Sequence, residues 1–410
     1  MSADFKPADS VVVVGAGHGG FQLGVSLRHN GFTGRIQVVN DEPFRPYQRP
    51  PLSKTYLKGE GGIESIAFRP DQFFADQQIE MVADRAVAIN RAGHHVRLAS
   101  GTTLDYGHLV LATGAHNRRL EAAGDLAGVA YIRTLEETEA LRLALPSVKR
   151  VVIVGAGFIG LEFAATARAK GLPVDVVELG TRVMGRAVSP AISDFFRARH
   201  EASGIRFHFG AQVVRCESES GRISGVVLDN GETLAADLVV VGIGIVPNTL
   251  LAAEAELEVA GGVVVDEHLL TADASISAIG DCALFPHPAA HGLLRLESVQ
   301  NANDQARCVA ARLTGKPHAY VDLPWFWSDQ GPDKLQIAGL TGGYDSVVLR
   351  GDPATNAFSV FCYRGQQLLG VESVNRAADH MVARRALGAG RNIPAEAAAD
   401  PGVDLKKLAA

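Results

Sequence analysis

The 410-residue chain has 47% hydrophobic and 20% charged side chains and 44 glycines, enough for two or three globular domains with many tight turns, and this composition excludes a disordered or fibrous protein. Its net charge of −6 excludes a general nucleic-acid binder, which would carry a basic excess or stripe. The four cysteines, Cys216, Cys282, Cys308 and Cys362, lie 66, 26 and 54 residues apart, so none has the spacing of a redox dithiol or a zinc knuckle, and all are expected to be reduced and structural.

The opening MSADFKPADS lacks the charged-then-apolar design of a secretory signal. The apolar run Leu238 to Val246 is too short to span a bilayer, being closed by Asp237 and Pro247. A cytoplasmic protein that does not enter the membrane is expected.

Short runs rich in valine and isoleucine alternate with helix-period segments through the first two thirds, the pattern of βαβ units around a buried parallel sheet. It predicts strand at 11–14, helix at 19–30 and strand at 35–39, then the same order at 151–154, 159–170 and 174–178. Leu109 to Ala115 and Leu238 to Gly244 read as buried strands running into glycine turns. From about Pro324 the character changes: PWFWSDQ holds both tryptophans, LQIAGL, SVVLRG, AFSVFCYRG and QLLGVESV read as consecutive strands of an antiparallel meander, and a helix follows near 376–388. The tail from Ala389, rich in alanine and glycine, is expected to pack loosely. The chain is expected to divide into a discontinuous first domain (1–115 and 248–323), a second domain (116–247) and a smaller C-terminal α+β domain (324–410).

One turn occurs twice, 140 residues apart, as VVVVGAGHGG and VVIVGAGFIG. In each copy the first glycine (Gly15, Gly155) makes the strand-to-helix turn, the second (Gly17, Gly157) admits a pyrophosphate close to the backbone, and the third (Gly20, Gly160) packs helix on strand. Free N–H groups at the helix start favour the phosphates. A lone G-x-G-x-x-G is weak evidence, but each copy follows four β-branched or aliphatic residues and is followed about 20 to 26 positions on by an acid, Asp41 and Glu178. A carboxylate there binds the ribose diol and repels a 2′-phosphate, so Glu178 favours NAD over NADP, with Arg182 and Arg186 close behind leaving that choice open. The bland alternative is a pair of solvated loop acids. Two dinucleotides in one chain point to a flavin and a nicotinamide, between which a hydride passes.

Three further motifs, LVLATGA at 109–115, VVVGIGIVPN at 239–248 and TADASISAIGDCA at 271–283, resemble the two-dinucleotide flavoproteins of glutathione reductase topology. Within them YQRPPLSK at 47–54, YIRTLEET at 131–138, RLESVQNANDQAR at 295–307 and PWFWSDQ resemble the oxygenase-coupled NADH:ferredoxin reductases of the putidaredoxin reductase type, over residues 10 to 390. The resemblance implies two Rossmann-like domains, for FAD and for NADH, and a C-terminal antiparallel α+β domain. It implies an enzyme of the ferredoxin–NAD+ reductase class, EC 1.18.1, that passes single electrons to a [2Fe-2S] ferredoxin serving a haem monooxygenase or a ring-hydroxylating dioxygenase.

Carried over by position, the flavin would be held by Gly15, Ala16, Gly17, Gly19, Gly20 and Asp41, and by Arg49, Lys54 and Ala86. Ala112, Thr113, Gly114, Arg133, Asp281, Val299 and Trp327 complete the implied set, with Asp281 on the ribityl chain and Trp327 over the flavin's exposed side. The nicotinamide dinucleotide would meet Gly155, Gly157, Phe158, Ile159, Gly160, Glu162, Glu178, Arg186, Gly242, Ile243 and Glu297. Lys54 and Glu162 are the implied catalytic pair, since a buried glutamate is costly unless partnered. No metal ligand is implied.

Each position has a plainer reading. Lys54 could be a surface lysine after a proline turn, Glu297 a strand-end acid, and the tryptophans anchors for the meander. His18 reads as a helix-start residue near the pyrophosphate rather than a catalytic imidazole. The disulfide reductases' dithiol region is here DEPFRPYQRPPLSKTYL, without sulfur, so electrons cannot leave by thiol exchange. Acidic ferredoxins call for a local basic patch, with Arg307 the first candidate beside Trp327. The oligomeric state stays open between monomer and weak dimer, and the function between this reading, a rubredoxin or nitrite-reductase-type electron donor, and a flavin redox sensor of the apoptosis-inducing-factor kind.

Overall fold

The computed structural model describes residues 9–290 and 292–409; most of the N-terminal stretch read for a secretory signal, residues 1–8, lies outside them. The chain packs as two compact units.

The first unit comprises the described residues up to Gln48, Ile63–His116 and Val246–Asp322. Its centre is a five-stranded parallel sheet ordered Ile276–Ala278, His108–Leu111, Ser10–Val14, Arg35–Asn40 and Ile79–Ala83. Val11, Val12 and Val13 are wholly buried because helices cover the sheet, which is why these strands are continuous apolar runs rather than alternating ones. The helices His18–His29 and Val299–Leu313 belong to this layer. A small antiparallel sheet, Ala86–Asn90, His95–Leu98 and Thr103–Asp105, was not foreseen.

Under the sheet, Arg312, His108 and Ser277 form a buried polar cluster: Arg312 Nη2 donates to Ser277 Oγ at 2.5 Å and lies 3.3 Å from His108 Nε2, which is 2.9 Å from the same hydroxyl. Burial first, and the guanidinium second, push the His108 pKa down to about 3. The imidazole is therefore neutral when folded, while the unfolded chain takes up a proton near pH 6.5. Stability from this group is fully present above pH 6.5 and is lost as pH falls towards 3. Between pH 7.5 and 5.5 the native protein should lose about 1.4 kcal/mol more than His108→Gln, as read from urea midpoints.

The second unit comprises Arg49–Gly62, Asn117–Ile245 and Leu323–Ala410. Its parallel sheet is ordered Ile205–Phe209, Val174–Glu178, Val151–Val154, Leu238–Val241 and Val129–Ala130. A three-stranded antiparallel sheet spans Val213–Glu219, Arg222–Leu228 and Thr233–Ala235. Both repeated βαβ elements fall within one residue of expectation, with helices at His18–His29 and Phe158–Ala169.

The C-terminal part is the expected antiparallel sheet with a helix, Ala377–Gly388, but its order corrects two readings. The tryptophan segment is itself a strand, Trp325–Gln330, paired with Asp333–Gly339. Asp333–Gly339 then pairs with Gln367–Val374, not with Ser346–Asp352, which forms the far edge. The meander is broken at Gly339, whose φ of +83 turns the chain out of the sheet, and where a Cβ would meet the Leu369 carbonyl at 2.3 Å.

The tail is also not loose. Ile393, Ala398 and Leu405 are buried in the C-terminal core. Arg350 anchors the tail by donating to the carbonyls of Asp400 at 2.5 Å and Val403 at 2.9 Å. Apolar residues spaced among alanines found a face to cover, a tertiary effect that composition does not carry.

Candidate functional site: two glycine turns and a buried charge cluster

In the first unit Gly15 has φ +109, and its N–H donates to Val39 O at 2.9 Å. A Cβ there would stand 2.3 Å from Ala112 O, whereas one at Gly17 would meet nothing within 4 Å, and one at Gly20 would stand 1.9 Å from Gly15 O. The three glycines thus do three different things: turn, open approach and close helix-to-strand packing. Gly17 is the N-cap of the helix, with no side-chain cap and no acid in the first turn, so the leading N–H groups face the open side and the dipole favours an anion. Ala16 is buried, and Gly19 lies against the Ile279 side chain and Ala302 O. A pyrophosphate fits this cradle.

The second unit repeats the geometry with Gly155 at φ +101. A Cβ at Gly155 would lie 2.4 Å from Gly242 O, one at Gly157 would meet only that oxygen at 3.9 Å, and one at Gly160 would lie 2.3 Å from Gly155 O. Glu178 ends the neighbouring strand; its Oε2 accepts from Ala156 N at 2.7 Å and its Oε1 from Gly180 N at 2.7 Å. The carboxylate is thereby fixed beside the turn with lone pairs to spare, and a ribose diol can still donate to it. Arg182 is spent on the carbonyls of Val188 and Gly185, at 2.7 and 2.6 Å, while Arg186 is exposed. Ile159 is exposed, and the Phe158 ring lies 4.6 Å from that of Phe326. Gly242 donates to Val154 O, and Ile243 packs against the local core.

Register separates the two acids. Gly15 and Gly155 donate to Val39 and Val177, so the equivalent of Glu178 is Asn40; Asp41 stands one residue further on and is exposed. Asn40 instead donates through Nδ2 to the carbonyls of Glu42 and Phe44, at 3.0 and 2.7 Å, which shapes the loop beyond the strand.

Of the other predicted positions in the first unit, Thr113 Oγ1 donates to Asn248 O at 2.7 Å, and Asn248 returns bonds to the carbonyls of Thr113 and Gly114 at 2.8 and 2.9 Å. Asn248 was missed as a site residue; its signal is the VPN that closes the second glycine strand. Asp281 follows Gly280, a left-handed residue at φ +76. Val299 opens the helix capped by Ser298, whose hydroxyl accepts from Asn301 N at 3.1 Å. Ala86 begins an antiparallel strand. Glu297 pairs with Arg295 at 2.9 Å, and Arg307 with Asp304 one turn away. His18 meets the Phe68 ring edge-to-face at 5.0 Å.

The second unit brings Lys54 and Glu162 together. Lys54 Nζ lies 3.1 Å from Glu162 Oε1 and 3.2 Å from Asp329 Oδ2. Glu162 is only 4% exposed, yet Ser53 Oγ donates to its Oε2 at 2.5 Å and Ser328 Oγ to its Oε1 at 2.7 Å. Ser328 in turn lies 3.4 Å from Gln330 Nε2, and Gln330 Oε1 is 2.8 Å from His200 Nε2. Ser53, Ser328, Asp329 and Gln330 were all missed. Strand alternation sends Trp325, Trp327 and Asp329 to one face and Ser328 and Gln330 to the other, and the two tryptophan rings stack at 5.6 Å. Arg49 Nη1 donates to Arg133 O at 2.6 Å.

Removing the carboxylate would leave Lys54 with Asp329 alone and take an acceptor from two hydroxyls. Glu162→Leu should cost about 3 kcal/mol or more in urea unfolding, and Glu162→Gln, which keeps the acceptor and the shape, clearly less. Equal losses would show that the cluster needs the charge itself and not the acceptor that glutamine keeps.

All four cysteines are free, and among the described residues no helix is long and apolar enough to cross a membrane. The pyridine nucleotide-disulphide oxidoreductase family matches residues 9–306, and the reductase C-terminal family residues 325–409. The rhodocoxin reductase of Rhodococcus erythropolis is 50% identical over 399 residues, covering 97% of this chain and 93% of that protein. Among solved structures, the ferredoxin reductase for the CYP199A2 system from Rhodopseudomonas palustris is 57% identical with a TM-score of 0.97, covering 98% of this chain and 100% of that one. The reductase in the covalent putidaredoxin reductase–putidaredoxin complex is 38% identical with a TM-score of 0.94, covering 98% of each chain. Two fitted glycine turns and free thiols on this scaffold agree with those matches: the chain belongs to the pyridine nucleotide-disulphide oxidoreductase family, in its putidaredoxin reductase-type branch.

Proposed function

We propose that this protein is an FAD-dependent NADH:ferredoxin oxidoreductase that supplies single electrons to a [2Fe-2S] ferredoxin serving a haem monooxygenase or ring-hydroxylating dioxygenase. The observation that carries the reading is the pair of glycine turns, each with its second glycine open to a ligand, in a chain with no sulfur where the disulfide reductases keep theirs. FAD held at the first turn would supply the redox chemistry, taking a hydride from NADH and giving up the two electrons singly.

The chain's own residues bind and orient. N–H groups at the start of the His18–His29 helix hold the FAD pyrophosphate, and those at Phe158–Ala169 hold that of NADH. Glu178 takes the ribose hydroxyls and Asp281 the ribityl hydroxyl. Lys54, held by Glu162, presents a fixed positive charge, and no protein acid or base is needed for the hydride step. The 1–115 and 248–323 segments form the flavin domain, 116–247 the nicotinamide domain and 324–410 the C-terminal domain. Free thiols and the use of NADH favour the cytoplasm.

The test is anaerobic mixing of the yellow protein with NADH, followed by cytochrome c reduction with and without an added [2Fe-2S] ferredoxin. Bleaching by NADH and ferredoxin-dependent turnover are expected. Turnover with rubredoxin alone would move the function to that acceptor, and a long-lived reduced flavin that releases no electrons would make the protein a redox sensor.

A further inference from the structure

Gln305 lies in the middle of the Val299–Leu313 helix with its side chain wholly buried. Its Oε1 accepts from the backbone N–H of Gly280 at 2.7 Å. Because an N–H can only donate, this bond settles which end of the amide is oxygen. The other end, Nε2, is buried and has no partner among the described residues. One turn earlier, Ala302 touches both glycine segments of this unit: its carbonyl stands 3.5 Å from where a Cβ of Gly19 would be, and its Cβ 3.6 Å from where that of Gly280 would be. The helix is therefore braced at once against the start of the first glycine helix and against the Gly280–Asp281 turn.

Gly280 is left-handed at φ +76, and the direction of its peptide decides where the next residue, Asp281, presents its carboxylate. Buried amide donors in native proteins are almost always satisfied. A donor left over on the helix that braces a ligand cradle therefore marks an acceptor that arrives with the ligand.

We propose that Gln305 is a positioning residue of the flavin site: through Oε1 it fixes the Gly280 peptide and so the placement of Asp281, and its Nε2 donates to an oxygen brought in with FAD, of the dinucleotide or of a water it traps. The inference rests on the reading of the first glycine turn as the FAD site. It adds a residue to which the family motif, ending at the Gly-Asp pair, gives no part.

The experiment compares the wild-type full chain with Gln305→Leu and Gln305→Met, which keep volume and remove both bonds. Apoprotein is titrated with FAD by quenching of flavin fluorescence, and thermal midpoints are taken with and without FAD. The expected result is an FAD Kd raised about tenfold or more, with the apoprotein midpoint lowered by the loss of the Gly280 bond and the holoprotein midpoint lowered further, so that the midpoint gained on adding FAD is reduced. An FAD Kd within twofold of wild type in either variant overturns the proposal, as does an equal fall of apo and holo midpoints, which marks a purely structural brace. If neither variant folds without FAD, Gln305 belongs to the core and the proposal falls in the same way. Failure of the wild-type chain itself to bind FAD would instead overturn the reading on which the inference rests.

Discussion

Gly20→Val is expected to purify colourless, with its ratio of flavin to protein absorbance down at least tenfold, while Gly160→Val stays yellow but needs at least tenfold more NADH for half-maximal reduction. The same substitution in two copies of one turn thus gives two different failures. In the first unit the added side chain starts 1.9 Å from the Gly15 carbonyl, and in the second 2.3 Å from that of Gly155. Both contacts are to backbone, which has no rotamer to move, so the helix must lift from the strand and carry its N–H groups away from the phosphate. Overpacking of a fitted interior costs about 1–3 kcal/mol, or roughly fivefold to over a hundredfold in affinity. Flavin content, NADH titration and thermal midpoints separate the outcomes. Loss of flavin in Gly160→Val, or its retention in Gly20→Val, would show the two turns assigned to the wrong dinucleotides.

The glycine turns were legible because their constraint is local: three backbone positions, a strand before and a helix after leave little room for another arrangement. The buried valine runs were legible for a similar reason, since continuous apolar strands need cover on both faces. What the sequence did not show is polar burial. Ser328 and Gln330 read as the end of a tryptophan segment, and Glu372 as one residue of a strand. In the fold Glu372 is fully buried, accepts from the N–H and hydroxyl of Ser189, and burial pushes its carboxyl pKa up. Which face of a strand a serine or glutamate occupies follows from alternation, but what covers that face is decided by elements more than a hundred residues away. The same limit explains Asp41: an acid near the right distance was visible, whereas its register against Glu178 needed the strand pairing. The tail failed in the opposite sense: its alanines look featureless in the sequence, yet Arg350 donates to five of its carbonyls.

Glu178→Gln should lower kcat/KM for NADH about tenfold and raise that for NADPH by a comparable factor, almost wholly through KM. The carboxylate sits at the end of its strand with one oxygen on Ala156 N and the other on Gly180 N. Those bonds hold it in one orientation without using up its lone pairs, so a ribose diol finds a charged acceptor already in place, and such bonds contribute about 1.5–3 kcal/mol each. A 2′-phosphate meets the same charge as repulsion. Glutamine keeps the shape and one acceptor, removes the charge and sets its NH2 against one of the two backbone donors, so discrimination shifts at the cost of one bond to the turn. Arg186, exposed a few residues on, is then available to the 2′-phosphate, whereas Arg182 is held by the carbonyls of Val188 and Gly185. The double variant Glu178→Gln/Arg186→Ala should therefore lose most of the gain with NADPH and keep the loss with NADH. A fall in kcat with unchanged KM would mean that Glu178 serves the turn alone, and the preference for NADH would have to come from another residue.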